Sequence, residues 1–426
     1  MISDASLRRV LPDSTVALVG DLVRALLWGL AVVVWIAFLQ VYLRMIRLTL
    51  ANPSSSDFTI FYYTARMVAD GLPMYGESPA HYGVKWAAGH LGNLNPPHFQ
   101  VLFQPLAYFS YGQALLAWVA ISLACLIAAL VVIVRELRLA FTWRRVLAWG
   151  AWTVGLAPFT TVAVTSEITF VLMLPFALLW RAWRRGWWVS AGVWLGVLVS
   201  LKLFFLVPVV WLVLRREWRA VSAAALTAGG LVALGAVVFG PASYALWAKS
   251  LGTVGWQWMA MNASWPGFVS RAFDSGGKIA PVLNAPSLVV PLAAAGSMAI
   301  LAATVLWGRA SAPHEVRQKD RVLLLLLLAA ILASPLGWVY YLPLAYAPIL
   351  GWMGAADGWS LFRRTGWSTV TALAAAVVLF YIPQEVANAG QPSRLATLTV
   401  ASAYFFATAL LWAVVMRSSP TVRAAS

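Results

Sequence analysis

Few side chains in this 426-residue chain carry protons readily near neutral pH: it has 14 acids and four histidines. One stretch, residues 52–99, gathers three of those histidines (His81, His90, His98) and three acids (Asp57, Asp70, Glu77). A carboxylate held in such a loop suits general-base chemistry, the removal of a proton from an attacking hydroxyl. Asn95 and His98 flank a Pro-Pro pair and are free to act as hydrogen-bonding groups. Farther on, Glu167 sits at a turn between two apolar segments, and Lys202 stands between GVWLGVLVSL and LFFLVPVVWL. An ionisable group at such depth is a functional candidate by default, and a cation there must snorkel to water or meet an anion. Arg271 follows a Trp-Pro-Gly turn, and Arg66 lies within a helical pattern; both also read as solvated charges. No His, Asp, Glu or Cys grouping has the spacing of metal ligands, so neither a metal nor a cofactor is expected.

The rest of the chain reads as membrane. Hydrophobic residues make up 62% and charged residues 10%, against about 25% charged in soluble domains, and the mean hydropathy is +0.80. Apolar runs approach the roughly 20 residues that span a bilayer as a helix. Runs such as VLLLLLLAAIL at 322–332 lack the alternation of barrel strands. The fold class is therefore an all-α polytopic membrane protein. Spans are expected near 23–43, 101–134, 146–164, 168–180, 187–200, 203–214, 220–239, 286–308, 322–333, 337–355, 367–383 and 396–416, about 12 in all. The pair in 187–214 is short, which suggests tilted, half-inserted or merged helices. No tandem repeat is visible. Cys125, the lone cysteine, excludes an intrachain disulfide and is expected as a small buried hydrophobe.

The net charge of +16 fits this reading without nucleic acid, because short cytoplasmic loops collect Arg and Lys. With the N-terminus inside, 21 of the 30 basic residues fall on the inner side. The other nine, outside, are Arg44, Arg47, Arg66, Lys85, Lys202, Lys249, Arg271, Lys278 and Arg394. Residues 1–22 and 417–426 then form cytoplasmic tails around a single membrane domain, 23–416, with a first span that acts as an uncleaved signal-anchor. Two long loops, about 49–98 and 240–285, face outward. The outer acids are Asp57, Asp70, Glu77, Glu167, Asp274 and Glu385. Tryptophans 143, 149, 183, 187, 188, 218, 247, 256 and 258 cluster near span ends, as an interfacial belt does.

Within the first outer loop, Phe58, Phe61, Tyr62, Ala65, Val68 and Ala69 repeat at helical spacing, and Gly71 and Pro73 end the pattern. The spacing predicts an amphipathic helix lying in the membrane interface. Asp57 would be its N-cap, a base at the edge of water and lipid, or both, since a capping carboxylate keeps one oxygen free.

Several separated pieces, in this order, carry a resemblance. They are Asp57-Phe58 with YYTAR, Gly71 to Tyr75, Asn95-Pro96-Pro97, and Ala191 to Gly196 with Lys202. Asn262-Ala263-Ser264 with Arg271 and Ala333 to Trp338 follow. From about 20 to 416 the chain resembles glycosyltransferase family 87, membrane mannosyltransferases of the GT-C superfamily. That resemblance implies GT-C architecture and inverting transfer of a sugar, mannose first, from a polyprenyl-phosphate donor to an acceptor hydroxyl. The acceptor would be a lipid-linked glycan or glycolipid, and the site would lie on the extracytoplasmic side of the cell membrane. It implies Asp57 as the catalytic base, with Glu167 the next choice. A phosphate leaving group needs no general acid and a single displacement needs no nucleophile, so only the base and cations around the phosphate remain. Those cations are Lys202 and Arg271, then His98 and Arg66. Asn95 and Asn262 complete the polar set, while Trp338, Tyr340 and Tyr341 stack on sugar, flank the lipid chain, or belong to the interfacial belt. Two positions depart from the family pattern: Ser166-Glu167-Ile168-Thr169 stands where Gly-Gln-x-Asn is common, and Tyr340-Tyr341 where a His is common. They bear on sugar and acceptor more than on reaction type. The alternatives are a transporter or flippase, a relative moving arabinofuranose, glucose or aminoarabinose, and a non-catalytic scaffold. A transporter would have inverted repeats and midplane charges, which the sequence lacks.

Overall fold

The structure is a computed structural model. It describes residues 13–53, 56–76, 78–84, 92–140, 142–274, 276–310, 315–354, 367–382, 387 and 393–417. Glu77, Lys85, His90 and Glu385 lie outside the described residues, as do most of the expected tails.

The described chain is all-helical, with one isolated antiparallel bridge. Its principal helices are α1 (Asp13–Ala51), α2 (Asp57–Ala69), α3 (Tyr111–Glu136), α4 (Trp143–Val154), α5 (Ala157–Thr165), α6 (Thr169–Arg185), α7 (Trp188–Leu201), α8 (Leu206–Leu214), α9 (Trp218–Phe239) and α10 (Ala242–Leu251). They continue with α11 (Trp265–Phe273), α12 (Val289–Ala310), α13 (Val316–Ala333), α14 (Tyr346–Met353), α15 (Trp367–Phe380) and α16 (Ala403–Arg417). Among the described residues, five helical stretches are long and apolar enough to cross a membrane: Leu18–Ala51, Tyr111–Glu136, Trp218–Phe239, Pro286–Gly308 and Arg394–Arg417.

Several expected spans are interrupted instead of continuous. Residues 146–164 divide into α4 and α5 around Gly155 and Leu156, with Pro158 in the first turn of α5. Proline has no N–H to continue an upstream helix but suits a first turn. Pro343 lies within a 3₁₀ stretch, Val339–Ala345, that precedes the short α14. Leu201 ends α7, and a three-residue 3₁₀ turn leads into α8, so the short pair is real. Irregular backbone at membrane depth is tolerated where protein buries it or a cavity receives it.

The core runs through α2, α3, α6, α7 and α13; residues Val322–Leu332 of α13 are all buried. The packing of α7 on α9 depends on glycine. A Cβ at Gly192 would lie 2.2 Å from the Ala220 carbonyl oxygen, and one at Gly196 would lie 2.5 Å from that of Ala224. Such small-residue stripes let backbones approach closely.

The two ends of the bundle differ in chemistry. At one end Asp320 of α13 accepts from Trp180 Nε1 at 2.7 Å and pairs with Arg184. Nearby, Glu136 at the end of α3 holds Arg185 at 2.7 Å and Arg181 at 3.5 Å. Arg321 donates to the last carbonyls of α16, Val415 at 2.8 Å and Met416 at 3.0 Å, where a cation also complements the helix dipole. The opposite end holds the N-termini of α2 and α6 and the C-terminus of α7.

Three sequence expectations change. Helix α2 does not lie free in an interface: Phe58, Ile60, Phe61, Tyr62 and Ala65 are buried, because Phe99, Phe103 and Trp118 cover its apolar side. Trp183 is not an interfacial tryptophan but is 1% exposed, packed on Trp188 and Trp211. Cys125 is half-buried instead of buried.

Candidate functional site

Asp57 occupies the first turn of α2, but it is not the cap. That role belongs to Ser56, whose Oγ accepts from the Phe58 N–H at 3.3 Å. The same hydroxyl donates to the Thr165 carbonyl at 2.8 Å, which ties α2 to the end of α5. Asp57 is thus released from capping, and its neighbours are charged: Glu167 and Lys202 both act on it electrostatically. Burial pushes its carboxyl up to about 7; Glu167 adds to the rise and Lys202 opposes it.

Glu167 sits in the turn between α5 and α6. Ser166 adopts left-handed backbone there, at φ 51°, and its carbonyl accepts from Trp118 Nε1 at 2.9 Å. The Glu167 carboxylate is fixed by Thr169, which donates through its N–H at 2.8 Å and its hydroxyl at 2.7 Å, both to Oε2. A carboxylate at a helix N-terminus is favoured by the exposed N–H groups and the dipole. The other oxygen, Oε1, meets Lys202 Nζ at 3.1 Å, with Glu167 3% exposed overall.

Lys202 is the residue at which α7 stops, in extended backbone at φ −141°. Its position follows from the dipole of α7, whose C-terminal end favours a cation. Besides Glu167, the ammonium donates to Asn95 Oδ1 at 3.2 Å and lies 5.4 Å from the centre of the Tyr341 ring. Asn95 is presented by the Pro96-Pro97 segment. Its N–H donates to Asn93 Oδ1 at 3.0 Å, and its carbonyl accepts from Tyr75 at 2.8 Å.

His98 lies close by, with both ring nitrogens engaged. Nε2 is 2.6 Å from the Ser200 carbonyl and Nδ1 is 2.9 Å from the Tyr244 hydroxyl, so the ring pins the last turn of α7. Burial pushes its pKa down. The aromatic wall is also buried: Tyr340 and Tyr341 meet edge to face at 4.8 Å, and Trp338 is 6.0 Å from Tyr340. Tyr340 feels the charges of Asp57 and Glu167.

That wall is secured by the second long loop. Asn262 bridges Trp338, with Ala263 N–H donating to Gly337 O and Val339 N–H donating to Met261 O, each at 2.8 Å. The Asn262 amide is fully used: Nδ2 donates to Gln257 O and Pro335 O, while Oδ1 accepts from Ser264. Arg271, 1% exposed, clasps the same loop from α11. It donates to Met259 O at 2.9 Å, Asn262 O at 3.1 Å and Ser402 Oγ at 3.1 Å. Nη2 has no hydrogen-bond partner, and no ion pair among the described residues includes Arg271. Burial pushes its pKa down to about 9.

The structure therefore brings Asp57, Glu167, Lys202, Asn95, Tyr340 and Tyr341 together, with His98 bracing the α7 end behind them. Asn262, Trp338 and Arg271 form the adjoining loop platform. Arg66 is apart: it lies about 13 Å along α2 from Asp57, where it pairs with Asp70 at 3.3 Å and donates to Ala107 O. Sequence reading missed Ser56, Thr169, Tyr75 and Ser402. A serine directly before Asp57 was a legible cap signal; the other three are recognisable only in space.

The chain is a membrane glycosyltransferase: a model described as glycosyltransferase family 87 matches residues 93–335, more than half of its length. The chain belongs to that family, consistent with the GT-C superfamily. The matched residues include Asn95, His98, Glu167, Lys202, Asn262 and Arg271, while Asp57 and Trp338 to Tyr341 lie outside them. No curated protein and no solved structure matches the chain.

Proposed function

We propose that this glycosyltransferase moves a hexose, mannose, from a polyprenyl-phosphate donor to a hydroxyl of a lipid-linked glycan or glycolipid, with inversion and with Asp57 as general base. The observation that carries the reading is the cluster of Asp57, Glu167 and Lys202 at one end of an apolar bundle. Among the ionic groups there, Asp57 is the carboxylate that neither caps a helix nor has a hydrogen-bonded ion-pair partner described. A carboxyl pushed up to about 7 is basic enough to take an acceptor proton and still largely ionised above neutrality.

In the reaction so read, the acceptor oxygen attacks the anomeric carbon while its proton passes to Asp57. The bond from that carbon to the phosphate oxygen breaks, and the electron pair leaves with the phosphate. Lys202 and Arg271 offset the phosphate charge, so the chemistry needs no metal or cofactor in this reading. The polar clusters support an orientation as well. Arg181, Arg184, Arg185, Lys319 and Arg321 gather at the end opposite Asp57; by the positive-inside rule this favours a cytoplasmic placement of that end and supports a site on the extracytoplasmic face.

The test supplies purified protein with radiolabelled polyprenyl-phosphate mannose and a membrane lipid extract, and compares wild type with Asp57→Asn. Transfer by wild type and none by the variant is expected. Equal rates would remove the base assignment; no transfer by either, with lipid movement across liposomes, would favour a flippase.

A further inference from the structure

Lys202 is already paired. Of the three N–H groups of its ammonium, Glu167 and Asn95 take two, and the Tyr341 ring lies 5.4 Å from Nζ. Glu167 is fixed, not adaptable, because Thr169 holds its second oxygen twice, at 2.8 and 2.7 Å. With Asp57 also ionised, the three charges sum to a net negative cluster. An incoming phosphodiester would meet repulsion there unless the arrangement changes.

We propose that Glu167 is the resting counter-ion of Lys202 and surrenders it to the donor's phosphate, so that this carboxylate sets donor affinity. The inference rests on the polyprenyl-phosphate reading above. The Glu167 oxygen Oε1 lies 3.1 Å from Nζ, the kind of contact a phosphate oxygen would make with the same ammonium. The carboxylate keeps a buried ammonium neutralised, which an isolated buried cation would require. When the donor enters, Lys202 turns from Glu167 to the phosphate, while Thr169 retains the Glu167 carboxylate at the α6 N-terminus. Glu167 is thus a positioning residue for the cation and does not itself touch the reacting carbon. It also affects Asp57, the acid facing it from α2. The other titratable groups around it are Lys202 at the end of α7, Tyr340 and Tyr341 from the 3₁₀ segment, and Tyr42 of α1, which shares a narrow crevice with it.

The test measures polyprenyl-phosphate binding to detergent-purified protein by thermal shift, and donor KM by transfer assay, for wild type and Glu167→Gln. The amide retains an oxygen for Thr169 but removes the charge that competes for Lys202. Polyprenyl phosphate is expected to bind the variant about fivefold more tightly, equivalent to removing a competing interaction of about 1 kcal/mol. The donor KM falls in step, and the acidic limb of kcat/KM moves to lower pH. Unchanged or weaker binding by a folded variant overturns the inference. No binding of polyprenyl phosphate by wild type instead sinks the donor reading, so the two failures are distinct. If Glu167→Gln does not fold, Glu167→Asp serves: one fewer methylene withdraws the carboxylate from Nζ, and affinity rises in the same direction by less. Affinity equal to wild type overturns the proposal there too.

Discussion

Lys202 Nζ reaches Asn95 Oδ1 at 3.2 Å across 107 residues of sequence. This contact joins the polar first loop to the break between two short apolar helices. It turns an unplaceable buried cation into the floor of the candidate site, whose proposed base comes from a third element.

Replacing Asp57 by Asn is expected to lower transfer by about 10²–10⁴-fold, the usual worth of a general base. The same change raises thermal stability at pH 8. The Asp57 carboxyl is pushed from 3.8 up to about 7 in the folded protein, so between those values the folded state holds a proton that the unfolded state has lost. Stability from this group is full below pH 3.8 and lost as pH rises through about 7. An amide has no charge to bury, so its advantage grows as pH rises above 3.8 and is complete above about 7. Melting curves at pH 5 and pH 8 check it: a larger upward shift at pH 8 than at pH 5 is expected.

The pH dependence of the reaction follows from the same carboxyl. The base must be ionised, so kcat/KM should fall on the acidic side through an apparent pKa of about 7. A profile flat down to pH 5 would count against Asp57 as base.

Removing Lys202 leaves Glu167 buried without its cation. Lys202→Met is expected to destabilise by about 3–5 kcal/mol, as breaking one side of a buried pair does. The double change Lys202→Met with Glu167→Gln recovers most of that stability and none of the activity. Denaturation of the single and double variants, with transfer assays beside them, separates the two roles.

Arg271 is expected to resist conservative exchange. Its fork reaches two carbonyls and a hydroxyl at once, a geometry that a lysine ammonium does not reproduce. Arg271→Lys should loosen the 259–264 loop, read as faster proteolysis there, and lower activity by at least about tenfold.

Gly196→Val tests the close approach of α7 to α9. The first added carbon already lies 2.5 Å from a backbone oxygen, so the helices must separate. Overpacking of this kind costs about 1–3 kcal/mol, and because α7 ends at Lys202 the change should raise donor KM as well. A stable variant with unchanged KM would mean that α7 is not the strut that holds the cation.

The residues themselves determined a good deal. Hydropathy and the scarcity of charge required membrane helices, and Gly71 with Asp57 bracketed α2 nearly to the residue, because a helix is built from local spacing and local stops. The ordered pieces from Asp57 to Trp338 carried the family resemblance, and the family model matches residues 93–335. Tertiary structure decided the rest. That Ser56, not Asp57, would cap α2 depended on Thr165 being there to receive its hydroxyl. That α2 would be covered by protein instead of lipid depended on Phe99, Phe103 and Trp118 arriving from later segments. Lys202 could be read as expensive, but its partner could not be read, since an ion pair between separate helices depends on where their ends meet in space. Local rules fix a helix and its ends; only packing fixes which ends become neighbours.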